Sequence, residues 1–316
     1  MNFLITGGAG FIGSHLTESM VREGHSVTVI DDFNNYYNPE IKWRNLLAVR
    51  KDVHLVEGDI RDAILVERTF AKGKYDQVVH LAARAGVRPS IKDPKLYFTT
   101  NIDGTFNLLE ACRGHEVSRF TFASSSSVYG VNKKVPFAET DLIERTISPY
   151  AATKLAGEQV CSNYSHLFGI ACTCLRFFTV YGPRQRPDLA ISKFTRKILS
   201  GEPIQQYGNG SSARDYTYIE DIIAGIKAAM SYKQSDFEIF NLGGSATTTL
   251  SELIRKIESA TGLEAQIENL PDQPGDVPRT YADVSKAEAL LGYSPKTPID
   301  KGVVDYVEWF KQQTAS

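Results

Sequence analysis

Residues 2–32 read NFLITGGAGFIGSHLTESMVREGHSVTVIDD. Phe3, Leu4 and Ile5 make a short apolar run, and Gly7, Gly8, Gly10 and Gly13 follow it. Phe11 to Val21 carries an apolar side at helical spacing, and Val27, Val29 and Ile30 form a second buried strand closed by Asp31. Strand, glycine turn, helix, strand and acid is the opening of a dinucleotide-binding unit. Gly7 lets the chain turn where a side chain would forbid it. Gly10 lets the backbone approach a pyrophosphate, which the free N–H groups at the helix start, around Phe11 and Ile12, then hold. Gly13 lets the helix lie against the strands. Asp31 is placed to accept from ribose hydroxyls, and its charge repels a 2′-phosphate, so the expected cofactor is NAD rather than NADP. The acid at this distance lifts the pattern, here GxxGxxG, above an ordinary glycine-rich loop.

The rest of the composition narrows the class. A chain of 316 residues is long enough for a large core and two domains. Lys plus Arg number 35 against 37 Asp plus Glu, so there is no general attraction to nucleic acid or to acidic membranes. The sequence begins directly with a core strand and has no apolar run of roughly 18 residues, which predicts a cytoplasmic protein. Cys112, Cys161, Cys172 and Cys174 sit in apolar contexts without CxxC spacing and read as reduced core residues. No metal site is expected.

Downstream, strands and helices alternate with short links, which is doubly wound α/β arithmetic. Asp32 to Arg44 reads as a polar, aromatic loop, either over the adenosine end of a cofactor or packed on the surface. A strand at 53–57 ends just before Asp59 and Ile60, where an open parallel sheet binds ligands. Asp59 there can meet an adenine amino group or cap the helix expected over 61–72. After a strand at 75–81, Leu81, Ala82 and Ala83 present a slim path for the cofactor. A helical pattern spans 94–112, with Asn101 a candidate for holding the backbone of a neighbouring strand. The strand 119–123 leads into Ser124 to Ser127, and Ser148 and Pro149 open a helix reaching about His166. After a sixth strand at 170–176 the pattern changes. Residues 178–187 read as a loop, 203–207 and 213–216 as a strand pair around Gly208, Asn209 and Gly210. A capping box at Thr249 and Glu252 opens a helix, a late strand falls at 267–270, 271–276 is a loop, and two amphipathic helices close the chain. The expected fold is thus a Rossmann-like doubly wound parallel sheet at 1–178, with 215–241 woven back into it, and a smaller mixed α/β substrate domain at 179–214 and 242–316.

Tyr150 and Lys154 are four apart on one helix and share a face. A tyrosine with a reference pKa of about 10 is too weak a base near neutrality. The Lys154 ammonium and a positive nicotinamide ring would both favour its phenolate. A serine from 124–127 can hydrogen-bond the same substrate hydroxyl.

These segments resemble the extended short-chain dehydrogenase/reductase family, specifically its nucleotide-sugar 4-epimerases. The resemblance rests on Gly7, Gly10 and Gly13, on Asp59 and Ile60, Ala82 and Ala83, and the serine run before Val128, Tyr129 and Gly130. It continues through Ser148, Pro149, Tyr150 and Lys154, Arg176 and Phe177, Tyr181 to Arg184, and Arg214 with Asp215. It implies a retained NAD, Tyr150 taking the proton of a sugar 4-hydroxyl, Ser125 as its partner and Lys154 on the nicotinamide ribose. It also implies a UDP-sugar substrate with Arg88, Arg214 and Arg279 among its ligands. Near the active site the chain is most similar to UDP-glucuronate 4-epimerases, with Ser125, Ser126, Ser127, Thr179 and Arg186 matching their carboxylate-binding set, donors supplied without an added acid. Action on UDP-glucose or UDP-N-acetylglucosamine, and decarboxylation of UDP-glucuronate, remain the alternatives. The related 4,6-dehydratases carry an Asp-Glu pair where Ser126 and Ser127 stand. Where galactose-type epimerases tend to carry Arg, this chain has Gln273. The resemblance further implies a homodimer built on the helices at 95–112 and 150–166.

Overall fold

A computed structural model describes residues 1–271 and 278–314. Its strands are β1 (Asn2–Thr6), β2 (Ser26–Asp31), β3 (Val53–Glu57), β4 (Gln77–His80), β5 (Arg119–Ser125), β6 (Ala171–Phe177), β7 (Thr179–Tyr181), β8 (Ile204–Tyr207), β9 (Ala213–Arg214), β10 (Tyr216–Tyr218), β11 (Phe237–Leu242), β12 (Thr248–Thr249) and β13 (Ile267–Leu270). The helices are α1 (Phe11–Arg22), α2 (Pro39–Leu46), α3 (Ala63–Lys72), α4 (Val87–Lys92), α5 (Pro94–Phe98), α6 (Gly104–Gly114), α7 (Pro149–Phe168), α8 (Ala190–Ser200), α9 (Ile219–Met230), α10 (Leu250–Thr261), α11 (Ser285–Leu291) and α12 (Ile299–Thr314).

Seven strands form one parallel sheet in the order β3-β2-β1-β4-β5-β6-β11. Strand order reverses between β1 and β4, which opens a crevice at their C-terminal ends. Alternate side chains feed two cores. Phe3, Ile5 and Val29 join Leu16 and Met20 of α1 and Ile222 and Ile226 of α9, while Leu4, Ile30 and Val78 join Phe70 of α3, Leu108 of α6 and Cys161 of α7. All four cysteines are free and buried, as their apolar contexts suggested. The remaining strands pair in twos, β7 with β10, β8 with β13 and β9 with β12, in segments on either side of β11 in the chain. Among the described residues, no helix is long and apolar enough to cross a membrane and no group of His, Cys, Asp and Glu could hold a metal.

Three expectations need correction. The loop expected after β2 contains α2, whose start is fixed by Asn38 accepting the Glu40 N–H at 3.0 Å and by Pro39 at the first helical position. Within the expected loop 178–187, β7 pairs in parallel with β10. The strand pair around Gly208 and Gly210 does not form: β8 pairs in parallel with β13, and β9 pairs antiparallel with β12. The helical stretch 94–114 is continuous but contains a π turn at Thr99–Asp103, which places Asn101 in its middle.

Candidate active site

The crevice is a cavity of about 390 Å³ running from the glycine turn to the start of α7. At its cofactor end, Gly7 has φ +70°, and a Cβ there would lie 2.7 Å from the Ala82 nitrogen. A Cβ on Gly13 would lie 2.0 Å from the Gly7 carbonyl oxygen, so α1 can approach the turn only without a side chain. The rim is lined by Gly10, Phe11, Ile12, Ile60, Leu81, Ala82 and Ala83, and the free N–H groups at the start of α1 suit a diphosphate. This backbone-lined groove fits a dinucleotide.

Asp31 is buried at the end of β2 and accepts the Ala9 N–H at 3.1 Å and the Phe33 N–H at 3.0 Å, with Lys42 Nζ 3.9 Å away. Burial raises its pKa, against the pull of Lys42 and of those N–H donors. Each oxygen keeps a further lone pair for a ribose hydroxyl. Asp59 also lines the cavity, and its Oδ1 accepts the Arg61 N–H at 2.8 Å. It does not cap α3, since Asp62 accepts the Ile64 and Leu65 N–H groups there.

At the other end, Ser148 caps α7 by accepting the Ala151 N–H at 3.1 Å, with Pro149 next, and this sets Tyr150 on the first turn facing the cavity. The Ser125 hydroxyl, at the end of β5, shares the cavity with the Tyr150 phenol and donates to Ser127 Oγ at 3.2 Å. Burial raises the Tyr150 pKa; the Ser125 hydroxyl and the Arg186 charge pull it back. Lys154 lines the same cavity as Tyr150, and its Nζ donates to the Ala123 carbonyl at 2.7 Å. Burial lowers the Lys154 pKa to about 8.

Two buried braces hold these parts together. Asn101 Oδ1 accepts the Arg84 N–H at 2.8 Å, while its Nδ2 donates to the Arg84 carbonyl at 3.0 Å and to Thr153 Oγ1 at 2.9 Å. That ties the cavity-lining loop after β4 to α7. On the same helix Glu158, 0% exposed, takes Arg176 Nε at 2.9 Å, Arg176 Nη2 at 2.8 Å and Ser124 Oγ at 2.5 Å. The Glu158 carboxylate outweighs the burial that opposes it and raises the Arg176 pKa.

Ser126, Ser127, Thr179 and Arg186 share the cavity with Tyr150. Asp188, which does not line the cavity, grips Arg186, with Nε to Oδ1 at 3.0 Å and Nη2 to Oδ2 at 2.8 Å. Arg88, Arg214 and Arg279 do not line this cavity. Arg88 lies over the Tyr207 ring at 5.3 Å, Arg214 Nη1 donates to the Ala213 carbonyl at 2.9 Å, and Arg279 Nη2 donates to Thr247 Oγ1 at 3.0 Å. Arg279 nevertheless sits beside β9, because its backbone bridges Ala213. Gln273 lies outside the described residues. Asn34, Tyr36, Tyr37 and Lys42, from the segment expected either over the adenosine end or on the surface, also line the cavity, as does Phe178, which sequence reasoning missed. The paired tyrosines in the segment after Asp32 were the available signal for the first four.

A dinucleotide groove on a doubly wound sheet, ending at a Ser–Tyr pair with a lysine one helical turn on, defines an oxidoreductase-type site that acts on an alcohol. Comparison with known proteins sharpens this class. Residues 4–306 match the family described as GDP-mannose 4,6 dehydratase. UDP-glucuronate 4-epimerase 4 of Arabidopsis thaliana is 41% identical over 97% of this chain and 74% of its own length. Two solved structures superpose with TM-scores of 0.93, each over 99% of this chain and 100% of the other. They are a UDP-glucose 4-epimerase of Thermotoga maritima with UDP-glucose, 34% identical, and a UDP-glucuronic acid 4-epimerase of Bacillus cereus with UDP-glucuronic acid and NAD, 37% identical. The chain belongs to the extended short-chain dehydrogenase/reductase family, in its nucleotide-sugar 4-epimerase branch.

Proposed function

We propose that this protein reversibly epimerises UDP-glucuronate and UDP-galacturonate at C4 through a transient 4-keto sugar, with NAD as its cofactor. The reading is carried by one cavity that joins a proton-transfer phenol, Tyr150, to the donors Ser126, Ser127, Thr179 and Arg186. When bound, NAD supplies the hydride acceptor and donor for C4, and its ring charge favours the Tyr150 phenolate. Tyr150 takes the proton of the 4-hydroxyl as C4 is oxidised and returns it after the keto sugar has presented its other face. Ser125 holds that hydroxyl in line. Lys154, whose Nζ donates to the Ala123 carbonyl, would hold the nicotinamide ribose. Gly7, Gly10, Phe11, Ile12 and Gly13 hold the pyrophosphate, Asp31 the adenosine ribose, and Leu81, Ala82 and Ala83 the length between them.

A C6 carboxylate entering this pocket needs charged or hydroxyl donors, which Arg186, Thr179, Ser126 and Ser127 offer. They have a second task. An oxidised glucuronate is a β-keto acid and loses CO₂ when its C5–carboxylate bond aligns with the carbonyl π-system, so an epimerase must hold that bond out of alignment. Arg186→Ala and Thr179→Ala should therefore release more UDP-pentose relative to epimer. No Asp-Glu pair stands at Ser126 and Ser127, which argues against dehydration. Incubating the NAD-loaded protein with UDP-glucuronate, UDP-glucose and UDP-N-acetylglucosamine, then separating the products, tests the reading. UDP-galacturonate is expected; turnover confined to the neutral sugars, or UDP-pentose as the main product, overturns it.

We read Arg88, Arg214 and Arg279 as diphosphate ligands, clustered beside β8 and β9 rather than in the cavity. We divide the chain into a cofactor part, 1–178 with 215–241, and a sugar-nucleotide part, 179–214 with 242–316; β11 lying beside β6 supports this division. Phe98, Phe106 and Phe168 are exposed on α5, α6 and α7, which supports a homodimer joined there. A monomer mass in solution would overturn that assembly.

A further inference from the structure

Asp188 deepens the reading of Arg186 as the carboxylate ligand, and it rests on that reading. A guanidinium offers two bidentate edges. Asp188 occupies the Nε–Nη2 edge at 3.0 and 2.8 Å, while Arg186 lines the cavity with Tyr150 and lies over the Tyr36 ring at 5.3 Å. The Nη1–Nη2 edge is therefore the one left for a ligand. The Arg186 side chain is 18% exposed and that of Asp188 is 43% exposed, so the pair straddles the cavity wall with its acid toward solvent. A substrate carboxylate binding here would share one cation with a second carboxylate. A neutral hexose would bring only a hydroxyl and feel no such competition.

We propose that Asp188 is a specificity-determining residue, a resident counter-ion that shares Arg186 with the substrate carboxylate and limits the enzyme's grip on hexuronates. The limit has a chemical use. The keto sugar must turn over within the pocket, and a carboxylate held at full strength by Arg186 would resist leaving it. Asp188 keeps the arginine compensated while the carboxylate moves. The opposite role is simple positioning, in which Asp188 merely points Arg186 at the substrate.

The two roles differ in sign. Dissociation constants for UDP-glucuronate and UDP-glucose are to be measured by calorimetry on the NAD-loaded protein, for wild type, Asp188→Asn and Asp188→Ala. Competition predicts that both variants bind UDP-glucuronate more tightly, by roughly three- to tenfold given the partial exposure of Asp188. UDP-glucose affinity should stay within roughly twofold, the scale of a neutral contact. Unchanged or weaker UDP-glucuronate binding in both variants overturns the proposal, as does an equal gain for both sugars. Arg186→Ala separates this failure from that of the underlying reading. Full UDP-glucuronate affinity in Arg186→Ala sinks the carboxylate site itself, whereas loss there without gain at Asp188 sinks only the sharing.

Discussion

Replacing Glu158 should loosen the protein at the seam between β5 and α7. Glu158 is 0% exposed and Arg176 3%, and the Arg176 Nη1 has no hydrogen-bond partner even with the carboxylate in place. Glu158→Gln removes the charge but keeps one carbonyl acceptor, so Arg176 would remain buried as an uncompensated cation and Ser124 would lose its charged acceptor. Breaking a buried pair from one side costs about 3–5 kcal/mol. The Gln variant belongs at the lower end and Glu158→Ala at the upper. At roughly 2.1 cal/mol/K per residue of unfolding entropy, each kcal/mol shifts the melting temperature by roughly 1.5 °C in a chain of this length, so a fall of about 5–7 °C is expected. The double variant Glu158→Leu with Arg176→Met removes both charges and should recover most of the loss, since apolar replacement of a whole buried pair is close to neutral. Thermal melts and urea unfolding of the three variants provide the measurement. A loss below about 1 kcal/mol for Glu158→Gln, or a double variant no more stable than Glu158→Ala, refutes the reasoning.

Tyr150→Phe should keep fold and cofactor affinity while turnover falls by roughly 10²–10⁴, read by product separation; retained turnover would move the proton transfer elsewhere. Gly13→Ala should abolish NAD binding, because its Cβ would fall 2.0 Å from the Gly7 carbonyl oxygen, and calorimetry or cofactor content after purification checks it. Lys154 has a folded pKa near 8 against an unfolded value of about 10.4, so between these values the unfolded chain binds more protons and stability rises with pH. Lys154→Met lacks this rise, so its stability advantage over wild type should shrink from pH 8 to pH 10 by up to about 1.4 kcal/mol per unit. A constant difference over that window would show that Lys154 is not desolvated.

The cofactor half of the site was legible because its chemistry is local. Gly7, Gly10, Gly13 and Asp31 lie within one strand–helix–strand unit, and every cofactor residue expected from sequence lines the cavity. Tyr150 and Ser125 were legible for the same reason: a capped helix start and a strand end each declare where their next residue points. Pairing across distance was not. Gly208 and Gly210 imitate a hairpin turn, but β8 finds its partner in β13, far along the chain, and parallel pairing of that kind leaves no local signature. The capping signal Asn38, Pro39, Glu40 was present and overlooked inside a segment read as loop. Which partner a long cation chooses was also hidden, for Lys154 takes a carbonyl and Arg186 takes Asp188 through torsions that no spacing encodes.

Those hidden choices share a physical origin. A cavity that must admit a dinucleotide and a sugar cannot be filled by apolar side chains, so the segments around it lose the packing that fixes ordinary loops. Buried polar braces stand in its place. Asn101 ties the loop after β4 to α7, and Glu158 ties α7 to β5 and β6. Asp215 does the same between β9 and β10, accepting the Gly244 N–H at 2.6 Å and the Ala282 N–H at 3.0 Å, although burial pushes its pKa up to about 6. A raised carboxylate costs stability as pH rises from about 3.9 through 6, so this brace opposes folding energetically at neutral pH while fixing geometry. Such groups are costly when half-satisfied and directional when satisfied, whereas an apolar contact tolerates sliding. The reacting phenol needs placement within fractions of an ångström, and the polar braces around the cavity supply that directionality where close packing is excluded.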